Sequence, residues 1–269
     1  MGTRQSGSIK KLGLFLGFTL GLQAQLPVAL GTAGSFGVLA GSTVTNTGPT
    51  VVNGNLGVSA GTAVSGFPPG SVTGTIYTGV GSLAGTAQND LTAAFVDAAG
   101  RACPGPAMPG EIGGTVILPG VYCNATSVGI TGTVTLNGNG NPNAVFIFQI
   151  GSTLTTAAGN SHVNLIGGAQ ASNVFWQVGS SATLGTNTTF NGIILAQDSI
   201  TLTTGAVLNG RALARTGAVT LDSNLMTNPD TSPPAGVPAP PSLILVMAGL
   251  AIATLYLNRE RLLARFRRA

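Results

Sequence analysis

The chain has 269 residues, of which only 7% are charged, against about 25% in an ordinary globular domain, and 41 are glycine. The formal charge of +4 comes from the two ends. Residues 31–230 hold Arg101, Arg211 and Arg215 against Asp90, Asp97, Glu111, Asp198, Asp222 and Asp230, a balance of −3. Three scattered arginines cannot neutralise a run of phosphates, so nucleic-acid binding is excluded. Recurring Val, Ile and Leu with so little charge also exclude a solvated, disordered polymer, and the absence of a three-residue glycine period excludes collagen.

Residues 1–24 are expected to be a secretory signal. A basic stretch ends at Lys10 and Lys11, an apolar run follows from Leu12 to Leu22, and cleavage is placed after Ala24. Residues 25–227 form the body, where short β-rich runs alternate with Gly, Asn and Pro, the mark of many short strands. Residues 82–100 break that pattern: Leu83, Ala87, Leu91, Ala94, Phe95 and Ala98 fall at helical spacing, with Gly100 as a stop. A lone amphipathic helix must bury its stripe, and one flank of a β body is the large apolar partner available to it. The runs Ala144 to Ile150 and Val174 to Val178, bulky and uncharged, are expected to form the side beneath that helix. Cys103 and Cys123 follow the signal into an oxidising compartment, where an even count favours a disulfide, with two free buried thiols as the alternative.

The later part of the body repeats. Thr183 to Ala196 aligns without gaps on Thr201 to Ala214, an offset of 18, and Thr-Leu pairs recur at Thr135, Thr153, Thr183, Thr201 and Thr220. Such steps point to the coils of a solenoid. Neighbours in a strand point to opposite sides, which turns the leucines inward with Val134, Ser152, Ala182, Ile200 and Val219. The paired threonines then face out, together with Asn137, Thr155, Gly185, Thr203 and Asp222. Thr135 could equally lie on a neighbouring side of a three-sided coil.

Catalytic chemistry finds little support. His162, the one histidine, sits in a polar strand without a nucleophile and carboxylate placed around it. Asp198, Asp222 and Glu111 are the carboxylates that a glycan-cleaving solenoid could use, and turn or capping roles suit them better. No metal-ligand spacing and no phosphate loop occur, so the chain is read as a non-enzyme with no cofactor and no metal. What remains is a surface of threonines with almost no charge to interrupt it.

At the C-terminal end, residues 228–242 form a Pro-rich linker. Residues 243–269 form an apolar segment, Leu243 to Leu257, followed by an arginine-rich tail that would stay in the cytoplasm if the segment enters a membrane. Val237-Pro238-Ala239-Pro240-Pro241-Ser242, the apolar run and the arginines together resemble a PEP-CTERM sorting tail, with Ala239 where that family has Glu. The resemblance implies processing by an exosortase and a protein held at the outer envelope of a bacterium or released from it. A plain transmembrane anchor is the other reading.

The body has its own resemblance. The stretch Leu30 to Gly48, the runs Gly54 to Ser59, Pro119 to Tyr122, Val145 to Gly151, and Asn209-Gly210-Arg211-Ala212-Leu213-Ala214 are similar to the ice-binding-protein-like (antifreeze) domain family of microbes. The resemblance spans about residues 28–227. It implies a mainly β fold, a discontinuous right-handed parallel β-solenoid of roughly triangular section with one long helix packed along it. It also implies adsorption to ice through a flat face of small residues, here Thr153, Thr155, Thr183, Gly185, Thr201, Thr203 and Thr220, extended by Ser65, Thr43 and Thr45. The expected partner is thus the ice lattice, bound by a monomer, and the competing reading is a surface adhesin or matrix scaffold that binds polysaccharide or cells.

Overall fold

A computed structural model of the chain describes residues 25–159 and 161–229; the expected signal at 1–24 and the expected linker and anchor from residue 230 onward lie outside the described residues. The described residues form strands β1 to β21 and one α-helix, α1, Leu83–Gly100, and every strand pairing is parallel. No helix among them is long and apolar enough to cross a membrane. Parallel pairing of short strands from successive turns makes a solenoid, with three sides.

The first side is a seven-stranded sheet of β2 (Thr43–Thr47), β5 (Ala63–Ser65), β10 (Val128–Ile130), β13 (Leu154–Thr156), β16 (Ala182–Leu184), β18 (Ile200–Leu202) and β20 (Val219–Asp222). Its spatial order is β10-β13-β16-β18-β20-β2-β5. The second side runs β6-β3-β21-β19-β17-β14-β11-β8, formed by β3 (Val51–Val52), β6 (Ser71–Val72), β8 (Val116–Ile117), β11 (Thr133–Asn137), β14 (His162–Ile166), β17 (Thr189–Ala196), β19 (Val207–Ala214) and β21 (Leu225–Thr227). The third side lies under the helix and contains β1 (Phe36–Ala40), β4 (Asn55–Val58), β7 (Ile76–Thr78), β9 (Gly120–Asn124), β12 (Phe146–Ile150), β15 (Val174–Val178) and the later halves of β17 and β19. β17 and β19 pass round the corner without a break. Gly192 makes the bend in β17 at φ +119, and a Cβ there would lie 2.7 Å from the Trp176 indole nitrogen.

The coils do not stack in chain order. β1 to β3 pair with the last coils, β2 on β20, β3 on β21 and β1 on β19, so the N-terminal strands cover the C-terminal end of the solenoid. Helix α1 then carries the chain back along the third side to β8 at the far end. The expected discontinuous solenoid is this excursion.

Inside, Leu136, Leu154, Leu184, Leu202 and Leu221 are all buried, as the alternation predicts. An aromatic row runs along the axis. Tyr122, Phe148, Trp176 and Phe190 stand in sequence, with centroids 5.7, 4.0 and 5.1 Å apart. The Trp176 indole N–H donates to the Asn191 carbonyl at 3.1 Å, so its polar atom is satisfied within the core.

The helix packs where the two bulky runs are. Ser82 caps it by accepting from the Ala84 amide at 3.2 Å. Ala84, Ala87, Leu91, Ala94, Phe95 and Ala98 bury against Ile147, Phe175, Ile193, Leu195 and Leu213. Leu83, expected in that stripe, is 39% exposed, because the cap sets the phase one residue later and Ala84 takes the buried place. Gln149 fixes the far end by donating to the Ala98 and Arg101 carbonyls at 2.9 and 2.7 Å. The Asp90 carboxylate accepts from the Thr32 amide at 2.7 Å, and that bond holds its pKa below the ordinary value. Cys103 and Cys123 are bonded, joining the chain just after the helix to β9.

Truncating Leu91 to Ala should destabilise the fold by about 2–5 kcal/mol. The same change at Leu83 should stay within about 0.5 kcal/mol. Urea unfolding of the two variants checks both values.

Candidate functional site

The first side carries the expected threonines, and its register decides which of them form ranks. Across neighbouring strands the outward residues align as Gly129, Thr155, Thr183, Thr201, Thr220, Thr45 and Ser65. Two residues earlier in each strand a second rank aligns, with Ser127, Thr153, Ser181, Ser199, Ala218, Thr43 and Ala63. Parallel strands lie about 4.8 Å apart, so six steps make each rank about 29 Å long, with about 6.6 Å between the ranks. Every member is Thr, Ser, Ala or Gly. None is charged.

Four of the five hydroxyls of the second rank, those of Ser127, Thr153, Ser181 and Ser199, are held in place. Ser127 Oγ accepts from the Thr153 hydroxyl at 2.8 Å and from its amide at 3.4 Å, Ser181 Oγ from the Ser199 amide at 3.3 Å, and Ser199 Oγ from the Ala218 amide at 3.2 Å. Each serine thus reaches one coil onward along the axis. The first rank is different. Thr45, Thr155, Thr220 and Ser65 are exposed, and the one bond among the threonine hydroxyls is the long 3.4 Å contact from Thr45 to Thr220. Thr183 and Thr201, at the middle of the rank, are half-buried. Methyl and hydroxyl of a threonine are set by one stiff χ1, so the rank keeps its pattern without help from neighbours.

Several expected members fall elsewhere. Gly185 is buried and does not reach the surface. Its amide donates to Thr156 Oγ1 at 2.8 Å, and a Cβ at this position would meet the Thr156 carbonyl at 2.6 Å. It serves the corner after β16. Thr203 is half-buried just beyond β18, with its hydroxyl donated to the Leu184 carbonyl at 2.9 Å. Thr153 belongs to the second rank although it heads a Thr-Leu pair, because Leu154 stands opposite Ala182 and not opposite Leu184. Ser152 is half-buried, not inward with the leucines. Thr135 lies on the second side, paired with Val116 and Asn164.

The carboxylates mark the border of the ranks. Asp222 is bonded by the hydroxyls of Thr204 and Ser223, and Asp198 accepts from Ser180 and Thr216 at 3.2 and 3.3 Å. Glu111 closes the β10 end. Its segment bridges Gly129, and its carboxylate accepts from the amides of Gly113 and Thr131 at 2.7 and 2.9 Å and from the Thr131 hydroxyl at 3.0 Å. Burial pushes the Glu111 carboxyl up, but those donors outweigh it and hold the group below its ordinary value. All three are capping groups. His162 sits half-buried on β14 between Thr133 and Thr189, on the second side, and among the described residues no three His, Cys, Asp or Glu side chains gather as a metal site.

The second side is also a broad sheet, and its chemistry is unlike the first. Its outward rank mixes Thr189, Val207, Leu225 and Val51, with Leu225 42% exposed. Beside it Asn209 donates to Asn191 Oδ1 at 2.9 Å and Thr227 to Asn209 Oδ1 at 3.1 Å. Side chains of unequal length make that surface uneven, and the Asn191 amide donates to the Val163 carbonyl at 2.7 Å.

Known proteins resemble this chain in sequence and in fold. The family model described as ice-binding-like matches residues 38–227. An ice-binding protein of Nostoc sp. (strain HG1) is 46% identical over 237 residues, covering 86% of this chain and 87% of that protein. One from Colwellia sp is 40% identical over 219 residues, covering 75% and 84%. Among solved structures, an ice-binding protein from an Antarctic biological consortium superposes with a TM-score of 0.74 at 48% identity, covering 77% of this chain and 94% of that one. The ice-binding protein of the Antarctic ascomycete Antarctomyces psychrotrophicus superposes with a TM-score of 0.72 at 42% identity, covering 75% and 98%.

A carboxyl held down in the fold stabilises it above its unfolded pKa, and that contribution is lost as pH falls through the folded value. For Glu111 the loss should begin below the ordinary value of 4.5. Protection of the Gly113 and Thr131 amides, taken against the free-amide exchange rate at each pH, should therefore fall in acid before that of Thr183 does, and Glu111→Gln should remove that pH step.

Proposed function

The chain belongs to the ice-binding-like family, and from that membership we propose that it binds ice through the two small-residue ranks of the first side. The observation that carries the reading is the unbroken register of Thr155, Thr183, Thr201, Thr220, Thr45 and Ser65, a row of one chemistry on one sheet. Methyl groups there leave water no partner except other water, while hydroxyls at fixed intervals give that water anchoring points. With no charge to impose its own hydration shell, the layer is free to take the order of the solid. Because the sheet backbone and the threonine rotamers are already set, little conformational entropy is lost on adsorption.

Adsorbed molecules then act by pinning. Ice between two of them can advance only as a curved front, which grows less readily than a flat one, so growth and recrystallisation are inhibited. No step needs a cofactor, a metal or a bond broken, and the protein acts as a non-enzyme monomer. Secretion or display at the cell surface suits this work, since extracellular ice is the lattice within reach. The signal expected at residues 1–24 and the Cys103–Cys123 bond, which favours an oxidising compartment, support that location. Exosortase processing of the tail would decide between release and retention.

Polysaccharide binding by a surface adhesin is the second reading. Its support is the second side, where asparagine amides lie beside the aliphatic Val207 and Leu225.

Thr201→Tyr, at the middle of the first rank, should abolish ice shaping and recrystallisation inhibition with little change in thermal stability. Thr189→Tyr, on the second side, should leave both intact. Ice activity lost only with the second substitution, or retention on a glycan array without any ice activity, would move the function to the other face.

A further inference from the structure

The proposed face is not made by one run of chain. β20 ends the C-terminal strands of the first side, and β2 and β5 extend it from the N-terminal part. Thr45 and Ser65 therefore continue the rank of Thr220 across a non-covalent joint. The coil at this joint is composite. β20 and β21 come from the C-terminal end of the described chain, and β1 completes the third side of the same turn.

β19 shows where the composite coil is open. On its inner flank β17 passes continuously, with Gly192 opposite Gly210 and Ile193 opposite Arg211. On its outer flank Asn209 faces Thr227, and Ala212 faces Val38. Gly210 and Arg211 thus look across at a gap, where one strand leaves after Thr227 and another arrives before Val38. In the 18-residue repeat this is the place where Ile193 is replaced by an arginine. Arg211 is fully buried, its Nε donates to the Gly34 carbonyl at 2.9 Å, and its Nη2 donates to Asn228 Oδ1 at 2.8 Å. Gly34 lies just before β1 and Asn228 just after β21. One guanidinium holds both sides of the opening.

We propose that Arg211 is a positioning residue for the ice-binding face: it stands in for the missing peptide link of the composite coil and holds β2 and β5 in register with β20. The rigid fork of a guanidinium can bond two acceptors that diverge, where an ammonium would act as a single point charge. An apolar residue of similar size would leave a half-buried carbonyl and a half-buried amide oxygen without these donors. The other contacts across the joint are sheet bonds, the Asn224 amide donated to Thr50 Oγ1 at 3.0 Å and the long 3.4 Å contact from Thr45 to Thr220, and none of these spans the open corner. The inference rests on the first side being the face, but the seam itself is tested without ice.

Arg211→Met, Arg211→Lys and Asn228→Ala should each raise amide exchange in residues 36–65 relative to 145–178, by at least about tenfold for Arg211→Met and less for the other two. Ice affinity should fall in the same order. In a Thr43→Ala, Thr45→Ala, Ser65→Ala background, which already removes every hydroxyl that β2 and β5 bring to the two ranks, Arg211→Met should cause no further loss of ice affinity. Exchange that rises uniformly, or does not change, overturns the proposal, as does an added loss in that background. Should Arg211→Met fail to fold, the two milder variants give the same reading. If the unaltered chain lacks ice activity while the exchange pattern is as expected, the seam stands and the face does not.

Discussion

Parallel in-register stacking is the interaction on which the rest of the structure depends. Backbone hydrogen bonds hold successive coils at the strand spacing of about 4.8 Å, and each side chain inherits that spacing from the residue beneath it. A one-residue slip would turn every threonine of the first side into the core and every leucine out of it. Inward Leu154, Leu184, Leu202 and Leu221 therefore do two things at once, filling a narrow core and keeping the outward ranks level. The regularity of the surface is a consequence of the regularity of the interior.

A solenoid has two ends, and open ends of sheet invite further pairing. At one end the segment of Glu111 bridges β10 and its carboxylate gathers nearby amides. At the other the chain folds its own N-terminal strands over the last C-terminal coil and returns along helix α1. That device lengthens the first side from the five strands β10 to β20 to seven. It also places a joint inside the surface, and the buried guanidinium of Arg211 lies where the backbone is interrupted.

Much of the face was legible, though through the wrong pattern. Thr-Leu pairs picked out the strands but set Thr153 level with Thr183, whereas Thr155 holds that place. The better signal is a triplet of small, apolar, small. It recurs as Ser127-Val128-Gly129, Thr153-Leu154-Thr155, Ser181-Ala182-Thr183, Ser199-Ile200-Thr201, Ala218-Val219-Thr220, Thr43-Val44-Thr45 and Ala63-Val64-Ser65. Read that way, the second rank with Ser127, Ser181 and Ser199 comes out of the same strands. Gly185 was misplaced because alternation was carried past the end of β16, into a corner where the backbone turns and the glycine lies against Thr156. Leu83 was misplaced for the corresponding reason at a helix start, since the Ser82 cap sets the phase.

By itself the sequence determined the class of the fold, the helix, the disulfide partners and the uncharged threonine strands. These depend on local period, composition and a count of two cysteines, all of which act over a few residues or on residue type alone. Tertiary structure decided which threonines share a rank, which side Thr135 joins, and that β2 lies against β20 across about 175 residues of chain. Those outcomes depend on how turns of unequal length close into coils, and on which end of the solenoid the first strands cover. Neither is written in any single repeat, because hydrogen-bonded register between distant strands is chosen by the whole core packing at once.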